Sequence, residues 1–357
     1  MRINSIIEFL RTQVEIDACL IFGAANRLYF SGAKTSEGIL FINKKEAFLL
    51  VDSRYISYCK NVVKNCNVIL LKNQEQQIND LAKLGKTKKI EVDISSVDAK
   101  KFKQLSLKFS ELNLLDSDSL DTKIKNMRAL KDKYEQKCIE ESQKLIDAGF
   151  SYILKQIQPG ISEREIAINL EFFLRKHGAE KTAFEFIVVS GLNTALPHGK
   201  PSSKQIQAGD LVTLDFGVVY NHYCSDMTRT VAVSKYSQKQ KEIYKLVLAA
   251  QKSAINAIAP GKSCREIDET ARNIIVAAGY GDYFGHGLGH SLGLNIHEEP
   301  TLSPQSKEII QEGNVFTVEP GVYFANQFGV RIEDTIFVTK DGIKNITKSP
   351  KEELTII

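Results

Sequence analysis

Apolar residues along the first part of the chain fall into short runs separated by polar turns. Residues 18–22 are apolar, and residues 38–42 and 47–51 read as strands joined by the turn Asn43-Lys44-Lys45-Glu46. A further short strand is predicted at 90–94. Between 99 and 109 the period lengthens to that of a helix, with Phe102, Leu105 and Phe109 on one face. Interleaved strand and helix signals over about 120 residues make an α/β pattern. A polar, aspartate-containing stretch at 117–125 interrupts it. Beyond lies a long helical period over 127–156, with Leu130, Tyr134, Cys138, Leu145, Ala148 and Tyr152 among its apolar positions, stopped by Pro159-Gly160. Two domains are expected, 1–122 and 123–357.

The second domain repeats itself. Gly209-Asp210-Leu211-Val212-Thr213-Leu214-Asp215-Phe216-Gly217-Val218 returns 104 residues later as Gly313-Asn314-Val315-Phe316-Thr317-Val318-Glu319-Pro320-Gly321-Val322. Upstream, residues 159–166 match 260–267 at a shift of 101, so about three residues were added between the two blocks. Ser162 with Glu165, and Ser263 with Glu266, have the spacing of capping boxes. Gly178 and Gly279 each follow an amphipathic helix. The domain is therefore two helix-plus-strand halves. Ordered matches over some sixty residues weigh against chance similarity of common caps and strands.

Composition narrows the class. With 43% hydrophobic and 25% charged residues the chain is an ordinary globular protein. A net charge of +4 over 357 residues offers no footprint for nucleic acid or an anionic membrane, and neither partner is expected. No apolar run approaches the roughly 18–20 residues of a membrane span, and the first residues lack a signal-peptide core. Six cysteines without metal spacing read as free thiols in a reducing, cytoplasmic setting.

The repeat keeps an acid inside an apolar strand. Burying a carboxylate is costly unless something pairs with it. Thr213, Asp215 and Gly217 share a face by the period of two, and 220–223 reads as a turn. The expected register sets Asp215 opposite Asp226 and Thr213 opposite Thr228, about 5 Å apart at Cβ. In the second half Glu319 is expected opposite Glu333, with Arg331 on the same face. Packed about a pseudo-twofold axis, the hairpins bring four carboxylates together, and a cation is the occupant this arrangement calls for. The alternative is a pair of exposed hairpins carrying surface acids. The apolar neighbours Leu214, Phe216, Val318 and Ile332 argue against it.

Imidazoles come from the run Gly285-His286-Gly287-Leu288-Gly289-His290-Ser291-Leu292-Gly293. Four glycines in nine residues disfavour a helix. A loop or strand approaching the site closely fits better. His198 and His297 lie near prolines at comparable points of the two halves, whereas His177 and His222 read as structural. Oxygen ligands with one histidine suit manganese first, with cobalt, zinc or iron also compatible. Two ions roughly 3.5–4 Å apart would form a hydrolytic clamp.

These residues resemble the Xaa-Pro peptidases of the pita-bread metallopeptidase superfamily, aminopeptidase P and prolidase. The five-ligand pattern falls on Asp215, Asp226, His290, Glu319 and Glu333, inside L-D-F-G, D-x-T-R-T, G-H-G-L-G-H, V-E-P-G-V-Y and G-V-R-I-E-D. The first domain resembles the creatinase-type N-terminal domain, through Asn26-Arg27-Leu28-Tyr29-Phe30-Ser31-Gly32 and Asp52-Ser53-Arg54-Tyr55. The resemblance implies a two-domain α/β (α+β) protein whose second domain is the pseudo-twofold pita-bread fold. It implies two divalent metal ions, Glu319 as proton shuttle, and His198 and His297 steadying substrate and tetrahedral intermediate. His286, Arg331 and Tyr323 would line the proline side of the scissile bond. Arg331 also reads as a charge-balancing partner of the acids. The expected activity is that of an Xaa-Pro aminopeptidase acting on proline-containing peptides, as a homodimer. The alternatives are an Xaa-Pro dipeptidase and, further off, a methionine aminopeptidase or a non-catalytic binding protein of this fold.

Overall fold

The computed structural model describes residues 2–357. Two compact units meet between Met127 and Arg128. The first contains α1 (Arg2–Thr12), β1 (Ala18–Ile21), α2 (Ala24–Ser31), β2 (Ile39–Asn43), β3 (Ala47–Val51), α3 (Ile56–Val62) and β4 (Asn67–Leu70). It continues with α4 (Gln74–Gly85), β5 (Lys89–Val92), α5 (Ala99–Lys108), β6 (Asn113–Leu115) and α6 (Ser119–Ala129). Its six strands form one mixed sheet in the order β4-β3-β2-β1-β5-β6. Strands β1, β2 and β3 are buried throughout, which is why their sequences run apolar without alternation. Ile78 and Leu81 of α4 and Leu105 of α5 close the core over Leu20, Phe41 and Leu50.

The expected junction at residues 122 and 123 falls inside α6. The single helix expected over 127–156 is two helices, α6 and α7 (Lys133–Ile153). Asp132 breaks it: its carboxylate accepts from the backbone of Tyr134 and Glu135, and Glu135 returns the bond in a capping box. Apolar periodicity runs through such a break unchanged, because an N-cap costs the pattern only a few polar positions.

The second unit places α7, α8 (Glu163–Lys176), β7 (Lys181–Thr182), β8 (Ile187–Ser190), β9 (Leu211–Phe216), β10 (Val218–Tyr220), β11 (Tyr223–Cys224) and β12 (Met227–Ala232) in its first half. The second half has α9 (Gln238–Ala257), α10 (Cys264–Ala277), β13 (Gly289–Ser291), β14 (Glu298–Leu302), β15 (Val315–Val318), β16 (Gly321–Phe324), β17 (Phe328–Arg331), β18 (Asp334–Thr339) and β19 (Gly342–Asn345). Each half packs two helices on its strands. Ile146, Phe150, Leu170 and Leu174 lie against Val188, Leu214 and Phe216. Tyr244, Val247, Ile267 and Ala271 lie against Phe316, Val330 and Ile336. Both predicted capping boxes are present, Ser162–Glu165 on α8 and Ser263–Glu266 on α10.

All six cysteines are free, and burial pushes the Cys224 thiol up to about 12. Among the described residues no helix is long and apolar enough to cross a membrane.

Candidate metal centre

The first-half acids stand two residues out of the expected register. Asp215 pairs with Thr228 and Thr213 with Thr230. The cause is the turn: Tyr220 pairs with Tyr223, leaving Asn221 and His222 as a two-residue loop with φ of 45° and 73°. A slip of two preserves the face, whereas a slip of one would turn Asp226 away. Asp226 therefore still joins Asp215, from the gap between β11 and β12. Gly217 makes that gap possible, since a Cβ there would lie 1.9 Å from the Ser225 carbonyl oxygen.

In the second half Val318 pairs with Asp334, and Gly321 with Arg331. Glu319 and Glu333 occupy the interruption between these two ladders, at the opposed positions the sequence predicts. Their backbone N–H groups donate elsewhere, Glu319 to the Leu288 carbonyl at 2.8 Å and Glu333 to that of Thr228 at 3.1 Å. The second bond crosses between the halves. Thr228 Oγ1 also donates to Glu333 Oε2 at 2.7 Å, and Thr317 Oγ1 to Glu319 Oε1 at 3.1 Å.

Asp215, Asp226 and Glu333 are buried, and each offers an oxygen within 4.8 Å of the others. Burial pushes the Asp226 carboxyl well above its ordinary range, and the neighbouring charges of Asp215 and Glu319 push further. Glu333 is raised by burial and then by Asp226. Glu319 is raised as well, chiefly by burial. Asp226 Oδ1 and Glu333 Oε1 are buried without a hydrogen-bond partner. Such groups are costly in a folded protein. A divalent cation would satisfy them, and with His290 the donor set would suit one or two ions. The three acids fit a metal site.

His290 sits on β13, whose backbone runs close to β15. A Cβ on Gly289 would stand 2.0 Å from the Thr317 carbonyl oxygen. The glycine-rich run is thus the closely approaching strand expected of it. His290 Nδ1 lies 3.0 Å from the Ser291 carbonyl, which only accepts, so Nδ1 carries the proton. Nε2 faces Glu319 Oε1 at 3.4 Å and Asp226 Oδ2 at 3.6 Å. Burial lowers the His290 pKa, which favours the neutral ring, the form that ligates metal.

His297 packs edge-on to His290, ring centroids 4.5 Å apart. It lines the same cavity as His198 and His286. His286 donates from Nδ1 to the Gly287 carbonyl at 2.8 Å and accepts at Nε2 from the Tyr323 hydroxyl at 3.0 Å. Tyr323 accepts in turn from Arg331 at 2.8 Å. Arg331 also pairs with Asp215, and it donates to Thr228 Oγ1 at 3.1 Å and the Pro197 carbonyl at 3.3 Å. Its role as charge partner of the acids is therefore visible in the geometry. Tyr323 is set back: its hydroxyl links Arg331 to His286, while its side chain is not part of the cavity wall. His177 and His222 lie outside the cavity, at the end of α8 and in the β10–β11 turn.

The cavity measures about 660 Å³. Phe184, Phe186, Ile187 and Ile296 supply the cavity's apolar lining, and Lys200 pairs with Glu185 at 2.7 Å where both are exposed. Sequence reading missed this lining, because isolated phenylalanines in a loop carry no periodic signal. It also missed Arg229, buried against Asp334 at 2.8 Å, and the buried cations Arg128 and Lys131 around Glu298. The cue for Glu298 was its place beside His297. For Lys131 there was none, since it stood inside an apparent helix.

Residues 137–340 match the model of metallopeptidase family M24, and residues 2–130 that of the creatinase/prolidase N-terminal domain. An Xaa-Pro dipeptidase of Pyrococcus furiosus is 39% identical over 354 residues, covering 99% of each chain. Among solved structures, an Xaa-Pro dipeptidase from Bacillus anthracis superposes with a TM-score of 0.95 at 37% identity, over 100% of this chain and 99% of that one. An X-Pro aminopeptidase from Thermotoga maritima MSB8 gives 0.91 at 34% identity, with the same coverage. These matches span both units, and the chain belongs to metallopeptidase family M24, with a creatinase/prolidase-type N-terminal domain.

Proposed function

We propose that the protein is an Xaa-Pro dipeptidase, hydrolysing the bond between an N-terminal residue and a C-terminal proline. The observation that carries the reading is the convergence of Asp215, Asp226, His290, Glu319 and Glu333 beside His198, His286, His297 and Arg331 in one cavity. Relatives named Xaa-Pro dipeptidase support the dipeptide substrate over the aminopeptidase expected from the sequence. The cavity's cations point the same way. Arg331 is committed to Asp215, Tyr323, Thr228 and Pro197, which leaves Lys200 as the cation free to exchange its exposed partner for a substrate's terminal carboxylate.

Asp215, Asp226, His290, Glu319 and Glu333 would hold the metal, manganese by preference. Bound there, divalent ions supply Lewis-acid polarisation and a water acidic enough to attack at neutral pH. Glu319, whose carboxyl burial raises, would take a proton at Oε from the attacking water and return it to the leaving proline nitrogen. His198 and His297 hydrogen-bond the carbonyl oxygen as charge gathers on it. The Arg331–Tyr323–His286 chain fixes the His286 ring against the proline side. Phe184, Phe186 and Ile296 exclude bulk water, which strengthens each of these contacts.

The test compares an Xaa-Pro dipeptide with an Xaa-Pro-Xaa tripeptide on manganese-loaded protein. The dipeptide is expected to be cleaved with at least tenfold higher kcat/KM. Faster release of the first residue from the tripeptide would restore the aminopeptidase reading, and no release from either under any divalent metal would end both.

A further inference from the structure

A lysine buried behind the two imidazoles has no place in the chemistry above. The Lys131 side chain is 1% exposed. Its ammonium spends its three donors on the Arg128 carbonyl at 2.7 Å, Glu298 Oε2 at 3.1 Å and Ser291 Oγ at 3.2 Å. Glu298 follows His297 in the chain, and Ser291 follows His290. The two are also cross-strand partners on β13 and β14, and the ladder shifts register between His290 and Ser291. A bulge of this kind re-aims the side chain beside it. The Ser291 carbonyl accepts a hydrogen bond from the His290 Nδ1–H, so it sets both tautomer and ring direction. Glu298 is itself 6% exposed and satisfied on its other side by Arg128 and by the Asn295 N–H at 3.0 Å. Burial opposes its ionisation, but Lys131 and Arg128 outweigh that and hold its carboxyl below the usual range.

We infer that Lys131 is a positioning residue of the metal centre, clamping Ser291 to Glu298 across the β13–β14 bulge and so aiming His290 and His297. A buried ammonium is an expensive filler where methionine would occupy the same volume. What the charge adds is direction: it ties two strands at the point where each presents an imidazole. The inference rests on the metal-centre reading.

Cobalt binding separates the two. Wild-type protein, stripped and titrated with cobalt(II), is expected to develop a visible absorption band. No binding by wild type would sink the metal-centre reading, and this inference with it. Lys131→Met, checked for its fold by far-UV circular dichroism, is expected to bind cobalt roughly 10–100-fold more weakly, the range for outer partners of a ligand, with a shifted band. Where Lys131→Met does not fold, Glu298→Gln and Ser291→Ala are titrated instead, each keeping the strands but cutting one arm of the clamp, with weaker binding and the same direction of band shift expected. In a double-mutant cycle, Lys131→Met adds little to Glu298→Gln if they act as one clamp. Wild-type affinity and spectrum in the variants, or losses that simply add, would overturn the inference while leaving the metal centre standing.

Discussion

The two halves of the second unit start from one strand pattern and reach the centre differently. In the first, Asp215 stands within a continuous ladder and only Asp226 lies at an interruption. In the second, Glu319 and Glu333 both lie in the break between two ladders. The first half delivers two short acids, one from a regular strand position and one from the gap between β11 and β12. The second delivers longer ones from a kink, together with His290 and Arg331. Caps, helices and apolar strands correspond between the halves, whereas the acids differ in how they sit where backbone pairing stops. Those are the places where a side chain can change its aim without costing the ladder a hydrogen bond.

The sharpest test of this division removes one acid from each half. Asp226→Ala and Glu333→Ala should each abolish stoichiometric metal binding and lower kcat/KM beyond the roughly 10–100-fold of an outer-shell partner, measured by elemental analysis and dipeptide turnover. Because the two carboxylates share a centre, the double variant should be little worse than either alone. Full metal occupancy in either single variant would mean that the halves do not contribute equally.

A second test concerns what locks the halves together. Arg229 of β12 donates to the Asp334 carboxylate at 2.8 Å and to the Ser349 carbonyl at 2.8 Å, with a further bond to the carbonyl of Glu333. Burial would raise the Asp334 carboxyl, but Arg229 and Lys351 overcome this and hold it low. Arg229→Met leaves Asp334 short of a buried partner and should cost about 3–5 kcal/mol in urea unfolding. An unchanged midpoint would place the lock elsewhere, in the Thr228–Glu333 bonds.

The smallest effect probes where the halves remain equivalent. Ser162→Ala and Ser263→Ala each remove one capping box and should each cost about 1 kcal/mol, by the same unfolding measurement. Costs differing by more than twofold would show that divergence reached the scaffold too.

The sequence carried much of this. Short apolar runs between polar turns identified β2 and β3, helical periodicity identified α5, and the serine–glutamate spacings identified both capping boxes. The period of two put Asp215 and Asp226 on one face even though their pairing was misjudged by two residues. The break at Asp132 was hidden, because periodicity sees apolar faces and not the backbone bonds that end a helix. Helices such as α2, whose Asn26 and Arg27 are buried, gave no clean stripe.

That Asp215, Asp226 and Glu333 would gather was therefore legible in the sequence, as acids kept within or beside a repeated apolar strand. How they meet was not. The Asn221–His222 turn chose the register, and the packing of one half on the other brought Glu333 beneath Thr228. Burial raised Asp226, Glu319 and Glu333 above their ordinary pKa values, and Lys131 was drawn from a helix break to Ser291, beside His290. Each of these is set by contacts between segments far apart in the chain. Pattern along a sequence reports which face a side chain takes, but not what stands opposite it.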